Sequence, residues 1–240
     1  MSHNTLVFRA QDKEHLAIHY PRASGVKILM FPDWEGCETE SSHRLARLYG
    51  ETCDAEVIVT DIYGAKKRPA HYGDVHYFIE EALSDPSRTR SVLKSVFNSL
   101  APIWEGSGPT VVVGFCFGGS LAFETARSGV DCLGAVSIHG QPDTRLPVKS
   151  PTGSVPAFLM LHGAEDPFIE GEALNSFGSE MGQVGADWSL YVFGGAKHSF
   201  TRADIGAGNR AMGYSQKADG EAVTAVNSFV RRLVSKTRDT

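Results

Sequence analysis

The first apolar positions alternate with polar ones. Segments 6–10 (LVFRA) and 15–20 (HLAIHY) flank a polar turn, QDKE, at 11–14. Period-two alternation around a short polar turn predicts an antiparallel hairpin at a sheet edge. Beyond it the rhythm changes. Short aliphatic or β-branched runs recur as VKILMF at 26–31, AEVIVTDIY at 55–63, TVVVGF at 110–115, LGAVSI at 133–138, AFLML at 157–161 and LYVF at 190–193. Strands this continuously apolar are expected to be buried on both faces, as in a parallel sheet covered by helices. Helical spacing fills the intervals at 41–53, 87–104, 119–129, 171–185 and 219–236. Alternating strands and helices predict an α/β architecture, a mostly parallel, doubly wound sheet with helices on both faces. The chain has 240 residues, 42% of them hydrophobic, enough for a sizeable core. No linker, charge block or repeat divides it, so residues 1–240 are expected to form a single domain.

In such a sheet, ligands sit beyond the carboxyl ends of the strands. The residues there are Pro32 to Gly36, Tyr63-Gly64, Cys116 to Gly119, His139-Gly140, His162 to Asp166 and Gly194 to His198. Gly114-Phe115-Cys116-Phe117-Gly118 has the spacing of a nucleophile elbow, with cysteine where serine is usual. The glycines let a strained nucleophile pass between strand and helix without a side-chain collision. The helix that begins there favours a thiolate, and the Phe117 N–H would donate to an oxyanion. A small buried cysteine in a glycine-rich turn accounts for the pentapeptide equally well by itself. Chain order separates the two readings, because an elbow requires an acid and then a histidine after later strands. Asp166 follows AFLML and His198 follows LYVF. His198 would take the proton of Cys116, and Asp166 would orient the imidazole. Glu165 competes for the acid role, but Asp166, ahead of Pro167, suits a tight turn better.

Charge and cysteine content narrow the setting. The formal net charge is −5, with basic residues scattered, which argues against a nucleic-acid partner. No basic segment followed by an apolar stretch opens the chain, and no apolar run reaches membrane-spanning length, so neither a secretory signal nor a membrane association is expected. Cys37, Cys53, Cys116 and Cys132 form no CxxC pair and no zinc-ligand spacing, which fits a reducing, cytoplasmic protein. Cys37, Cys53 and Cys132 read as ordinary core or surface thiols.

The elbow at 114–119, His-Gly-x-x-Asp at 162–166 and Lys197-His198-Ser199-Phe200 together resemble the dienelactone hydrolase family of α/β-hydrolases. The likeness extends to Asp61-Ile62-Tyr63-Gly64, to Ser137-Ile138-His139-Gly140 and to the last helix, so it covers nearly the whole chain. It implies an α/β-hydrolase fold without a large cap domain, with no cofactor and no metal. It also implies a carboxylic ester hydrolase that opens lactones or esters through an acyl-cysteine, with Cys116, His198 and Asp166 as the triad. By the same resemblance, the loop after the first parallel strand supplies an acid, Asp33 or the nearby Glu35, and a second oxyanion donor, the Trp34 N–H. Arg202, four residues after the histidine, would grip a substrate carboxylate. A second such arginine has no clear match among Arg68, Arg88 and Arg90. The implied partner is a small-molecule ester or lactone, and the assembly a monomer or homodimer.

Sulfur at the elbow adds a constraint. A tetrahedral intermediate on a thiolate expels its better leaving group, so acylation succeeds only where the departing group is also stabilised. Enol lactones, aryl esters and thioesters meet that condition. A thioesterase or acyltransferase on the same scaffold is the first alternative, and a silent binding or redox-thiol protein the second. His139 and His162 read as hydrogen-bonded structural residues. Lys66, Lys67 and Arg68 read as a solvated loop, and the glycine-rich pieces EGSGPT and IGAGNR carry no phosphate-binding pattern. Phe31, Trp34, Phe115, Phe117 and Tyr63 are expected to wall the pocket.

Overall fold

The computed structural model describes residues 2–64, 68–69, 71–104, 108–148, 155–205 and 208–238. Eight strands form one sheet: β1 (Asn4–Ala10), β2 (Lys13–Tyr20), β3 (Lys27–Phe31), β4 (Glu56–Thr60), β5 (Thr110–Phe115), β6 (Gly134–Ile138), β7 (Ala157–Gly163) and β8 (Trp188–Phe193). Their spatial order is β1-β2-β4-β3-β5-β6-β7-β8. β2 pairs antiparallel with both β1 and β4, and every other pairing is parallel. The hairpin is therefore an edge, and β3 lies where the winding reverses direction, the place in such a sheet where a crevice opens.

Period-two alternation within the central strands divides the core between two faces. Ile28 and Met30 of β3 and Val111, Val113 and Phe115 of β5 pack on one side, against α1 (Glu40–Thr52) and α6 (Gln216–Arg238). Leu29, Phe31 and Val112 face the other, against α3 (Pro86–Leu100), α4 (Phe117–Arg127) and α5 (Gly171–Val184). Both faces are covered, which is why these strands read as unbroken apolar runs.

One helix escapes the periodicity analysis: α2, Tyr72–Ser84. Its apolar residues Val75, Phe78, Ile79, Ala82 and Leu83 have helical spacing, but its ends carry no signal. His71 stands at the N-cap without a capping hydrogen bond, and no glycine ends the helix, which runs through Asp85 directly into α3. This helix matters, because it walls the site.

Candidate active site

Cys116 lies between β5 and α4 with φ 53° and ψ −122°, a conformation that L-residues rarely adopt. The glycines around it are dictated by contact. A Cβ on Gly114 would meet the Gly118 carbonyl oxygen at 1.9 Å, and one on Gly118 would meet the carbonyl oxygens of Phe31 and Pro32 at 2.2 Å. The strand-to-helix turn closes only because neither residue has a side chain. As first residue of α4, Phe117 has a backbone N–H beyond the reach of any intrahelical acceptor.

The Sγ of Cys116 is 3.1 Å from Nε2 of His198, and Nδ1 of His198 is 2.7 Å from Oδ2 of Asp166. Asp166 is buried, and its other oxygen accepts the Phe168 N–H at 2.9 Å, so the carboxylate cannot turn away. Glu165, beside it, is exposed. The imidazole is held edge-on by two rings, Phe168 at 5.0 Å and His139 at 5.2 Å between centroids. Burial pulls the His198 pKa down, but the charge of Cys116 and the hydrogen bond to Asp166 more than offset it and raise it to about 10. Sγ, imidazole and carboxylate thus form a continuous hydrogen-bonded chain assembled from the ends of β5, β7 and β8.

His139 follows β6 at φ 45°, fully buried. Its Nδ1 accepts the Cys116 backbone N–H at 3.1 Å, so Nε2 carries the hydrogen and donates to Oγ1 of Thr201 at 3.0 Å. Burial, reinforced by His198, holds its pKa well below the ordinary imidazole value, and the ring is neutral. His162 is also buried, but its Nδ1 has no partner among the described residues.

Sγ opens into a cavity of about 530 Å³. Asp33, Trp34, Glu35, Phe117 and Arg202 line it, as expected from the sequence. Val75, Ile79 and Leu83 of α2, with Phe168, Ile169, Ile205 and Met212, also line it and were not foreseen. Only α2 had a readable signal; the others stand in loops whose course periodicity does not encode.

Arg202 differs from the sequence expectation in its surroundings. Its Nη1 contacts Asp33 and lies 2.6 Å from Glu35, and its Nε is 2.7 Å from Oδ1 of Asp204. These carboxylates, Asp204 foremost, hold the guanidinium above its ordinary pKa. Burial raises the Asp33 pKa, and Arg202 pulls against that rise. The guanidinium expected to grip a substrate carboxylate thus stands at the cavity among the protein's own carboxylates.

Some expectations need correction. Tyr63 does not line the cavity: it is buried behind it, its ring stacked on Phe117 at 6.1 Å. Phe31 and Phe115 are fully buried core residues on opposite faces of the sheet. Arg68 is half-buried, bonding Glu38 and lying 3.2 Å from Asp61. Arg68 and Arg88 border a separate surface depression, and Arg90 is 2.7 Å from Glu124, so none of the three reaches the cavity around Sγ. Cys37, Cys53 and Cys132 are buried free thiols. Lys66, Lys67 and parts of EGSGPT and IGAGNR (105–107, 206–207) lie outside the described residues. Among the described residues no cluster of His, Cys, Asp and Glu could hold a metal ion, and no helix is long and apolar enough to cross a membrane.

A doubly wound sheet with a strained residue between β5 and α4, an acid after β7 and a histidine after β8 is the arrangement of the α/β-hydrolase fold. Residues 17–234 match the dienelactone hydrolase family, and the chain belongs to it. A Saccharolobus solfataricus protein provisionally named carboxymethylenebutenolidase is 30% identical over 130 residues, which are 54% of this chain and 46% of that protein. The chain thus spans about half the length of this curated relative. Among solved structures, one named m3DLH superposes with a TM-score of 0.87 at 22% identity, covering 97% of this chain and 98% of that one. A dienelactone hydrolase-like promiscuous phosphotriesterase from metagenomic libraries gives 0.84 at 22%, with the same coverage. At that identity the two structures speak for the fold.

Proposed function

We propose that the protein is a cysteine-dependent hydrolase that opens an activated lactone or ester through an acyl-cysteine intermediate. The observation that carries this reading is the chain from Cys116 Sγ through His198 to Asp166, with contacts of 3.1 and 2.7 Å. Membership of the dienelactone hydrolase family supports it.

In this reading Cys116 is the nucleophile. Its thiolate forms a bond to the acyl carbon, and the carbonyl electrons move to oxygen, where the N–H groups of Phe117 and Trp34 receive the charge. The C–O bond to the leaving group breaks as His198 donates its proton to the departing oxygen. Water then attacks the thioester, His198 takes one of its protons, and the Sγ–carbon bond breaks to release the acid. Asp166 keeps the imidazole oriented throughout. A His198 pKa of about 10 suits a group that must hold a proton until the leaving group needs it.

The test is turnover of an enol lactone and an aryl ester by wild type and Cys116→Ala. The variant should retain its circular dichroism spectrum and lose turnover; unchanged turnover would sink the reading.

A further inference from the structure

A second cleft, of about 660 Å³, opens on another face of α2. Val75, Ile79 and Leu83 of that helix line the catalytic cavity, whereas Tyr77, Phe78, Glu81 and Ala82 line this one. His15 of β2, Ile62 and Tyr63 after β4, and Val92 of α3 line it as well. Two polar atoms in these walls have nothing to bond. His15 is 1% exposed and Tyr63 8%, yet His15 Nε2 and the Tyr63 hydroxyl have no hydrogen-bond partner among the described residues. A buried polar atom left unpaired is costly, and proteins rarely leave one without a reason. Two of them bordering one cleft mark a place where a ligand supplies the missing partners.

The chemistry of the two atoms says what kind of ligand. His15 Nδ1 lies 3.4 Å from the carbonyl oxygen of Asp61, so Nδ1 carries the hydrogen and Nε2 offers a bare lone pair. Burial lowers the His15 pKa and keeps the ring neutral. Burial also keeps the Tyr63 hydroxyl protonated, as a group that can donate. A ligand hydroxyl suits both, since it donates to a bare nitrogen and accepts from a phenol. The other polar residues of the cleft make no such demand. Gln11 bonds Ser91 and Ser95, Thr89 bonds the Ala82 carbonyl, and Arg68 is held by Glu38 and Asp61. Lys13, Glu81 and Arg88 are exposed, where water and salt screen their charges. Phe78 stands edge to face with both Tyr77 and Tyr63, at 5.9 Å between centroids in each pair, and walls of this kind suit an aromatic ring. We propose that this cleft is a second binding site, one that takes a neutral aromatic molecule whose hydroxyl group pairs with His15 Nε2 and Tyr63. The site stands apart from Cys116 and does not rest on the hydrolase reading.

The test compares 2-naphthol with 2-methoxynaphthalene, which has the same rings and no hydroxyl hydrogen. Titration followed by NMR gives the affinities, and intermolecular Overhauser contacts give the place. 2-Naphthol should touch the rings of Tyr77 and Phe78. It should bind at least about tenfold more tightly than its methyl ether, the scale of one buried acceptor left unpaired. His15→Phe should remove that advantage by weakening 2-naphthol and leaving the ether as it was. Tyr63→Phe takes away only the unpaired oxygen, and it carries the test by itself if the histidine variant does not fold. It should weaken 2-naphthol by about threefold or more. Without ligand it should melt no lower than wild type, since no hydrogen bond is lost. A lower melting temperature would show that the hydroxyl already has a partner and would overturn the proposal. So would a cleft that holds water only, with 2-naphthol touching Ile205 and Met212 of the catalytic cavity or nothing at all. Equal affinities for the two reagents, or an affinity for 2-naphthol that Tyr63→Phe leaves unchanged, would do the same.

Discussion

His139 accepts the backbone N–H of Cys116 on Nδ1 at 3.1 Å, so the residue after β6 holds in place the residue after β5. That N–H is shared with the carbonyl of Ile138 at 3.0 Å. The strained φ of Cys116 is thus maintained from the neighbouring strand, and the far side of the same imidazole is tied to Thr201. His139→Phe would keep a ring of similar shape and remove both polar contacts. It should cost about 1–3 kcal/mol of stability, because the buried Thr201 hydroxyl loses its imidazole partner and the Cys116 N–H keeps only the Ile138 carbonyl. Urea unfolding measures the loss. KM should change less than kcat, since the ring positions the nucleophile and the substrate's affinity depends on other walls.

The alkaline side of the pH–rate profile is a second consequence. His198 must carry a proton to hand to the leaving group, and its pKa is raised to about 10. Deprotonation on going up through that value removes the general acid, so kcat/KM should fall near pH 10, not near the ordinary imidazole value of about 6.5. In Cys116→Ala the opposing charge is gone while burial remains, so the His198 pKa should move down toward the ordinary value. Titration of the His198 ring by NMR in both proteins checks the direction. A value unchanged by the substitution would mean that Cys116 does not hold the proton on the ring.

Much of this arrangement was legible in the residues. The aliphatic runs located β3 to β8 within a few residues; β3 to β7 are apolar because they are buried on both faces, whereas β8, expected to be buried likewise, is an edge strand with Tyr191 and Val192 exposed. Cys116, Asp166 and His198 were readable because each stands just past such a run. Three things were not. α2 lacks a capping residue and a stop, so its apolar stripe had no borders. Arg202 could be placed at the cavity, but its occupation by Asp204, two residues on, and by Asp33 and Glu35, from the far end of the chain, is a matter of loop geometry that spacing does not encode. Tyr63 ends a strand as the other site residues do, yet its ring turns behind Phe117, and position alone does not say which way a side chain points.

The turn itself makes a sharp demand on Gly118. A Cβ there would lie 2.2 Å from the carbonyl oxygens of Phe31 and Pro32, which are backbone atoms and yield only if the chain itself shifts. Gly118→Ala should push the loop carrying Asp33 and Trp34 away from Sγ. Displacement of a reacting group by about an ångström can cost about 100-fold in rate. Steady-state kinetics on an aryl ester, with circular dichroism to verify folding, measure this. Near wild-type kcat would show that the loop bearing the proposed second oxyanion donor adjusts freely.

Away from the cavity, Arg127 anchors a buried charge network. Its side chain is 1% exposed, 2.6 Å from Glu180 and 3.0 Å from Glu124, and Glu124 in turn is 2.7 Å from Arg90. The network ties α3, α4 and α5 together on the face behind the elbow. Arg127→Ala would leave Glu180 buried without its cation, a change of the kind that costs about 3–5 kcal/mol. Replacing Arg127 and Glu180 together by apolar residues of similar volume should cost less than Arg127→Ala alone, since no orphan charge remains. Chemical denaturation of the single and double variants, compared as a cycle, tests both statements.

Sulfur at position 116 makes the final prediction, concerning the leaving group. When thiolate adds to an ester, the intermediate chooses between expelling the thiolate and expelling the alcohol. A phenolate departs about as readily as a thiolate, and the enolate released from an enol lactone does so too, whereas an alkoxide does not. Proton donation by His198 helps the alcohol but does not remove the difference. With acyl group fixed, kcat/KM should therefore drop by about 100-fold or more from a nitrophenyl ester to an ethyl ester. Cys116→Ser should be slower on both but less selective between them, because an alkoxide nucleophile and an alkoxide leaving group compete on equal terms. If the serine variant showed the same ratio as the wild type, breakdown of a sulfur-bound intermediate would not be what sets the preference. The acyl-cysteine reading would then lose its main chemical support.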